Sequence, residues 1–181
     1  MIIKCYNTDK EYLLFLDIEF NNLDLVQYAG LLFKKIEDET YQLMRSCNLY
    51  ITTQVCYAFA DYTSITNNFL KENGVPLESA IDIIENDFLA DVPQNQLMLI
   101  SHGVKNDCIV LERAGIPVNC DKYCTFVNAR RILKRTEQLS LEALATEAGY
   151  YLHHAHNAFN DAWAEVSVYT YLRKVEEQEK D

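Results

Sequence analysis

The clearest pattern of hydrophobic and polar positions lies near the start of the chain. Residues 12–19 are Tyr-Leu-Leu-Phe-Leu-Asp-Ile-Glu, so an apolar run ends in two carboxylates separated by one residue. A run of bulky side chains that is too short for a helix predicts a strand buried on both faces. Successive side chains of a strand point to opposite sides, so Asp17 and Glu19 are expected on one face and Ile18 on the other.

Two further strands are predicted directly after the first, at 26–33 and at about 40–51. The connection between them, 34–39, is short and charged, as is typical of a hairpin. Residues 1–10 are interpreted as a short lead-in. The chain therefore begins with three strands in succession, which predicts an antiparallel meander.

After residue 60 the pattern changes to helical spacing of apolar residues, interrupted by short apolar runs. Helices are predicted at 64–72, 76–89, 106–114, 128–135, 141–148 and 157–174, and strands at 96–100 and 122–127. The acidic end, 176–181, is expected to fray. This order predicts an α/β domain with a mixed five-stranded sheet, which has an antiparallel three-strand start and is flanked by helices.

Composition narrows the class of protein. The 181 residues fit one compact domain. The net charge of −11 argues against sequence-independent coating of a nucleic acid, but not against an enzyme that holds a few nucleotides through bound metals. The six scattered cysteines form no Cys-x-x-Cys pair, which argues against zinc. Without a leader or a membrane-length apolar run, a cytoplasmic protein is expected.

Acidic residues recur beyond the first strand, next to predicted element ends. Asp107 follows a strand and a Ser-His-Gly turn, and Asp161 lies on the last helix with His156 in the loop before it. Each has a plain interpretation: Asp107 as a partner of the helix dipole, Asp161 as a solvated acid, and His156 as one of three loop histidines. If they converge with Asp17 and Glu19, four carboxylates and an imidazole are the groups needed for two-metal hydrolysis of a phosphodiester.

These residues also carry a family resemblance, over about residues 12–173. Asp17-x-Glu19, Asp107 and His156-x-Ala-x-x-Asp161 resemble the motifs of the DEDDh 3′–5′ exonucleases, the DnaQ-like branch of the ribonuclease H-like superfamily. The resemblance implies a ribonuclease H-like fold and a single exonuclease domain over 1–181. The sister DEDDy class has a tyrosine four residues before its last aspartate, where this chain has asparagine.

The second motif leaves the branch of the family open. Many DnaQ-type members have His-Asn-x-x-Phe-Asp there, whereas this chain has His102-Gly103-Val-Lys-Asn-Asp. Gly103 resembles the KapD/ERI-like branch, in which Trp-Gly is usual, yet His102 replaces that tryptophan. The choice between DNA and RNA stays open with the branch, and His102 is interpreted as structural.

The resemblance implies a role for each motif residue. The enzyme would use two Mg²⁺ ions, for which Mn²⁺ would substitute, to release nucleoside 5′-monophosphates from single-stranded DNA or RNA 3′ ends. Asp17 would bridge both metals, Glu19 and Asp161 would complete the site of the water-activating metal, and Asp107 would hold the second. His156 would be the general base.

Substrate contacts are predicted at three places. Phe20, Asn21 and Asn22 follow the first motif, and Ile65-Thr66 resembles a family element that packs on the terminal nucleotide. Residues 122–135 carry five basic residues and no acid, which indicates either a solvated helix face or a surface that guides the phosphate backbone. The candidates on that helix are Arg130, Arg131 and Lys134.

Two other functions remain open beside an exonuclease for proofreading, trimming or end processing. Because the chain is strongly acidic, a protein partner or larger complex could supply the basic surface, as in a trimming module of a CRISPR integrase or a polymerase assembly. The alternative from another class is an inactive nucleic-acid-binding module that has kept the fold. No membrane partner is expected.

Overall fold

A mixed sheet is the scaffold of the computed structural model, which describes residues 1–153 and 155–179. Its strands are β1 (Ile2–Lys4), β2 (Tyr12–Asn21), β3 (Asp24–Glu37), β4 (Thr40–Tyr50), β5 (Leu97–Ser101) and β6 (Asp121–Cys124). Within the described residues they form one six-stranded sheet in the order β1-β4-β3-β2-β5-β6. The pairs β1–β4, β4–β3 and β3–β2 are antiparallel, whereas β5 pairs parallel with β2 and β6 pairs parallel with β5.

The helices follow β4 and flank the sheet. They are α1 (Tyr57–Thr63), α2 (Asn67–Asn73), α3 (Leu77–Asp82), α4 (Val104–Arg113), α5 (Thr125–Ile132), α6 (Leu141–Glu147) and α7 (Ala158–Gln178). A π-helical segment, Ile83–Phe88, extends α3, and a 3₁₀ turn, Gln94–Gln96, precedes β5. In the part of the chain that the structure describes, no helix is long and apolar enough to cross a membrane.

The predicted mixed α/β sheet with an antiparallel start is confirmed, but the predicted number of five strands is wrong. The lead-in contains β1, which pairs with β4 through Ile3 and Tyr41. Three residues with only Ile3 buried are too short to show a strand period.

One helix was missed, and several element boundaries differ from the prediction. α1 was missed, and the helix expected from residue 64 begins at Asn67, because Ser64 ends α1 in the left-handed region and Thr66 caps α2. The strand expected at 122–127 ends at Cys124, where α5 begins directly. α7 stays helical to Gln178 instead of fraying at 176, while Lys180 and Asp181 lie outside the described residues.

β2 is buried on both faces, as predicted, and this fixes where its carboxylates point. Leu13 and Phe15 pack with Tyr169 of α7, whereas Leu14 and Leu16 pack on the opposite side of the sheet. The α7 side therefore takes the odd-numbered positions, and the two acids that follow, at 17 and 19, continue that side.

The close approach of the π-helical segment to the sheet generates a stability prediction. A Cβ at Gly30 would lie 2.7 Å from Cε1 of Phe88, which is 4% exposed and contacts Tyr28 edge-on. We expect Gly30→Ala to lower the free energy of unfolding by about 1–3 kcal/mol, because overpacking forces buried side chains from their positions.

Urea denaturation of a double-mutant cycle with Phe88→Ala measures this contact. In the Phe88→Ala background the added methyl group has room, so Gly30→Ala should cost much less there. Equal costs in both backgrounds would show that the ring is not what excludes a side chain at residue 30.

Candidate active site

The carboxyl ends of β2 and β5 bring the predicted acids to one edge of the sheet. The two strands are parallel, with Phe15 opposite Ile100, so both end on the same side. Asp17 and Glu19 lie at the end of β2, and Asp107 lies in the first turn of α4, just after β5. This edge is where ligands bind in many α/β sheets.

α7 brings the third motif to the same edge. Asp161 lies in its first turn, after Asn157 caps the helix by accepting a hydrogen bond from a backbone N–H at N3 (3.3 Å). The possible ligand atoms of Glu19, His156 and Asp161 all lie within 4.8 Å of one another. The structure thus brings together residues that are 137 positions apart in the sequence from Glu19 to His156.

The loop before α7 is held by a hydrogen bond between its backbone and an acid of the site. The backbone N–H of His156 donates to Oδ2 of Asp161 (3.0 Å), and His156 has a φ of 66°, which few residues other than glycine adopt. His154, one of the three predicted loop histidines, lies outside the described residues. The imidazole of His156 is thereby kept beside the carboxylates.

Crowding and burial raise the pKa values of these acids. The pKa of Glu19 is raised to about 7, chiefly by burial and in addition by Asp161 and Asp107, and burial raises the pKa of Asp161 to about 6. The pKa of Asp17 is raised well above its ordinary value by burial and then by Asp161, Asp107 and Glu19. A bound cation would favour the ionised forms of these carboxyl groups and so lower their raised pKa values.

An unpaired buried oxygen supports the fit of a cation. Oδ1 of Asp161 is buried and accepts no hydrogen bond from any residue that the structure describes, although Asp161 itself is 7% exposed. Buried acceptors are normally satisfied, by a metal ion where no donor is present. An oxygen-rich set of ligands with one imidazole is suited to Mg²⁺ or Mn²⁺.

Asp107 is oriented by a residue that the sequence analysis missed. The hydroxyl of Ser101, fully buried at the end of β5, donates to Oδ2 of Asp107 and accepts from the backbone N–H of Gly103 (3.2 Å). This hydrogen bond lowers the pKa of Asp107, but burial has the larger effect and leaves it raised. A serine at the end of a buried strand, directly before the His-Gly turn, was the sequence feature that could have predicted this contact with Asp107.

Gln27 is a second residue that was missed, and it joins α7 to the sheet. It is fully buried in β3 opposite Glu19, and its Oε1 accepts a hydrogen bond from the backbone N–H of Ala158 (3.1 Å). Its Nε2 donates to Asn48 on β4 (2.9 Å). A glutamine inside an apolar strand was the signal that could have found it.

Tyr62 is the third missed residue, and nothing in the sequence pointed to it. Its ring, on α1, lies over the imidazole of His156 with centroids 3.9 Å apart and planes tilted by 34°. Burial raises its pKa, and Glu19 and Asp161 raise it further, so the phenol lies near the acids. Tyr62 nevertheless stays 63% exposed, which makes it a surface that a substrate could contact.

Of the predicted substrate contacts, the three after the first motif directly follow Glu19 at the end of β2 and in the turn after it. Phe20 is partly buried against the core, and Oδ1 of Asn21 accepts a hydrogen bond from Sγ of Cys56 (3.3 Å). Asn22 is exposed in the β2–β3 turn, with a φ of 53°. Their role in binding stays a prediction.

The Ile65-Thr66 segment has structural contacts of its own. Ile65 is 4% exposed and packs in a small core with Val26, Val55 and Leu70. Oγ1 of Thr66 accepts a hydrogen bond from the backbone N–H three residues later and so caps α2 (3.1 Å). A nucleotide could reach the exposed Thr66 but not the buried side chain of Ile65.

The structure does not bring Arg131 and Lys134 to the site. Arg131 pairs with Glu176 (2.6 Å) and Lys134 with Glu179 (2.8 Å), near the far end of α7, while Arg130 is exposed. At about 1.5 Å per helical residue, position 176 lies roughly 22 Å along the axis from Asp161. A role for these residues in guiding nucleic acid stays a prediction for a distant surface.

Comparison with known proteins identifies the fold. No protein-family model matches the chain, and no curated protein matches it either. Solved structures do match: the nuclease domain of 3'hExo, a DEDDh family member bound to rAMP, has a TM-score of 0.68 at 12% identity and covers 93% of this chain and 94% of that one.

Two further neighbours have similar scores. A 3'-exonuclease that recognises the histone mRNA stem-loop has a TM-score of 0.70 at 11% identity, with 93% and 84% of the two chains covered. E. coli exonuclease I in complex with a dT13 oligonucleotide has 0.72 at 14% identity, and the match covers 95% of this chain but 43% of that one. Identities this low show similarity of fold alone. The likeness therefore confirms the predicted ribonuclease H-like fold, which the DEDDh exonucleases share.

The raised pKa values predict how stability depends on pH. A carboxyl with a raised pKa in the folded state binds protons that the unfolded chain releases, so its ionisation destabilises the fold as pH rises from about 4 to about 7. In EDTA, Glu19→Gln should match the wild-type melting temperature at pH 4 and exceed it at pH 8. With Mn²⁺ at pH 8 the order should reverse, because Glu19 is one of the three residues whose oxygen and nitrogen atoms are placed to hold a cation. A gap that is the same at both pH values in EDTA would contradict this account of Glu19.

Proposed function

We propose that the chain is a 3′–5′ exonuclease that releases nucleoside 5′-monophosphates from the 3′ ends of single-stranded DNA or RNA. The observation that carries the proposal is the convergence of Glu19, His156 and Asp161 within 4.8 Å, at the sheet edge where Asp17 and Asp107 also lie. The fold supports it, since the neighbouring structures include exonucleases bound to rAMP and to an oligonucleotide. We propose one exonuclease domain over residues 1–181.

The acids would hold two divalent cations, Mg²⁺ by preference, with Mn²⁺ as a substitute. Asp17 would contact both, Glu19 and Asp161 one of them, and Asp107 the other. When bound, such a pair activates the attacking water and stabilises the departing 3′ oxygen. The unpaired Oδ1 of Asp161 and the raised pKa values around it support this assignment.

His156 would remove the proton from the attacking water. An imidazole nitrogen within 4.8 Å of both Glu19 and Asp161 leaves room for a water that contacts all three groups. The oxygen of that water forms a bond to phosphorus as the bond to the 3′ oxygen breaks, and the 3′ oxygen then takes a proton from solvent. The N–H bond to Asp161 and the ring of Tyr62 would hold the imidazole in position.

The residues after Glu19 would hold the terminal nucleotide. Phe20 and the exposed Asn22 would offer an aromatic edge and polar groups near the β2–β3 turn, and Tyr62 would offer the exposed ring that contacts His156. Stacking on aromatic side chains tolerates any base, so weak sequence preference is expected.

A second candidate, a trimming subunit that depends on a partner, is favoured by the charge distribution. The net charge is −11, and Arg131 and Lys134 are already paired with acids of α7. Because the net charge is negative and these two basic residues are paired, a protein partner would supply the basic surface for a long strand.

A time course on 5′-labelled single-stranded DNA and RNA of one sequence tests the proposal. With Mg²⁺ we expect a ladder that shrinks by one nucleotide from the 3′ end and disappears in EDTA. His156→Ala should slow it by roughly 10²–10⁴-fold, as loss of a general base does. His153→Ala, an exposed histidine of the same loop, is the matched control and should trim at the wild-type rate.

The outcomes separate the two candidates. A ladder from the chain alone supports the independent enzyme and opposes dependence on a partner. If folded protein alone shortens neither strand with Mg²⁺ or Mn²⁺, the independent enzyme is refuted and the partner-dependent subunit is favoured. If His156→Ala trims as fast as the wild type, the proposed role of His156 is refuted.

A further inference from the structure

Glu165 is a buried acid that the proposed mechanism does not use. It lies on α7 one turn after Asp161 and is 0% exposed. Glutamate is rarely buried so completely unless it is paired or binds a metal. Among the residues that the structure describes, no ion pair involves it.

Only one of its two oxygens has a clear partner. Oγ1 of Thr125, the first residue of α5, donates to Oε2 of Glu165 (3.0 Å) and lies 2.9 Å from Nδ1 of His102. The backbone N–H of His102 also approaches the carboxylate, and its hydrogen bond lowers the pKa of Glu165, but no described residue donates to Oε1 with ordinary hydrogen-bond geometry. A buried acceptor without a partner requires an explanation.

Hydrogen bonds place the carboxyl group of Glu165 near the carboxyl end of β5, because Thr125 joins it to His102, which directly follows the strand. Asp107 and Asp161 both raise its pKa, in addition to the larger effect of burial, and Glu165 in turn raises the pKa of Asp17. Ser101, which orients Asp107, directly precedes His102. The side chain therefore lies on the β5 side of the site, toward Asp107.

Asp161 and Glu165, one helical turn apart, each have a buried carboxylate oxygen that accepts no hydrogen bond from a described residue. Oδ1 of Asp161 and Oε1 of Glu165 are both buried and unpaired, on residues four positions apart and therefore on the same face of α7. Four residues span about 6 Å along a helix, and paired catalytic metals lie roughly 4 Å apart, so the two turns can each serve one cation.

We propose that Glu165 is a fifth carboxylate of the metal centre, and that its Oε1 binds, directly or through one water, the cation held by Asp107. The inference rests on the proposed function only in that the same edge binds divalent cations. A purely structural acid would account for the contacts with Thr125 and the His102 backbone, but it leaves Oε1 without a donor at ordinary hydrogen-bond geometry.

Mn²⁺ binding without nucleic acid tests the assignment, followed by electron paramagnetic resonance and calorimetry at pH 8. Glu165→Gln keeps the shape and the acceptor for Thr125 but removes the charge, so one of two Mn²⁺ ions should bind roughly 10- to 100-fold more weakly. Glu165→Met, an apolar residue of similar size that such a buried site should tolerate, should show the same loss. Glu112→Gln, exposed on α4, is the matched control and should bind as the wild type.

The result that overturns the inference is wild-type Mn²⁺ affinity in both folded Glu165 variants, as a structural acid would give. A wild-type chain that binds no Mn²⁺ would also overturn it. Failure of the proposed function is a different result: two Mn²⁺ ions bind and Glu165→Gln weakens one of them, yet neither strand is shortened.

Discussion

Repulsion among buried carboxylates is the constraint on which the rest of the structure depends. Asp17, Glu19, Asp107 and Asp161 are held at one sheet edge where burial raises all four pKa values, and the charges of neighbouring acids raise those of Asp17 and Glu19 further. Without a cation, each ionisation there destabilises the folded state, and two buried oxygens on α7 have no partner among the described residues. A divalent ion would reverse both effects, because it favours the ionised forms and supplies the missing partner.

The fold keeps the acids close because the elements that carry them are fixed by core packing and by buried hydrogen bonds. β2 is packed on both faces, so its side chains cannot change sides without exposing Leu13 or Leu14. Gln27 joins the sheet to the first turn of α7, and Ser101 joins the end of β5 to Asp107. The binding energy of these contacts maintains a site that its own charges would otherwise push apart.

The strand period and the predicted element ends were enough to find the four acids of the site. The shared face of Asp17 and Glu19 follows from the strand period, and the positions of Asp107 and Asp161 follow from strand and helix ends. Tyr62 and Glu165 could not be predicted, since their contacts join segments that are far apart in the chain and neither interrupts a pattern. Arg131 shows the converse: the basic run was visible, but its pairing with Glu176 depends on how α5 packs on α7.

The most direct test of a two-cation site is anomalous scattering from crystals grown with Mn²⁺ and adenosine 5′-monophosphate. The account predicts two peaks roughly 4 Å apart. Asp17 should contact both peaks, with Glu19 and Asp161 on one and Asp107 on the other. The absence of peaks at this edge, or a single peak that Asp17 does not contact, would contradict it.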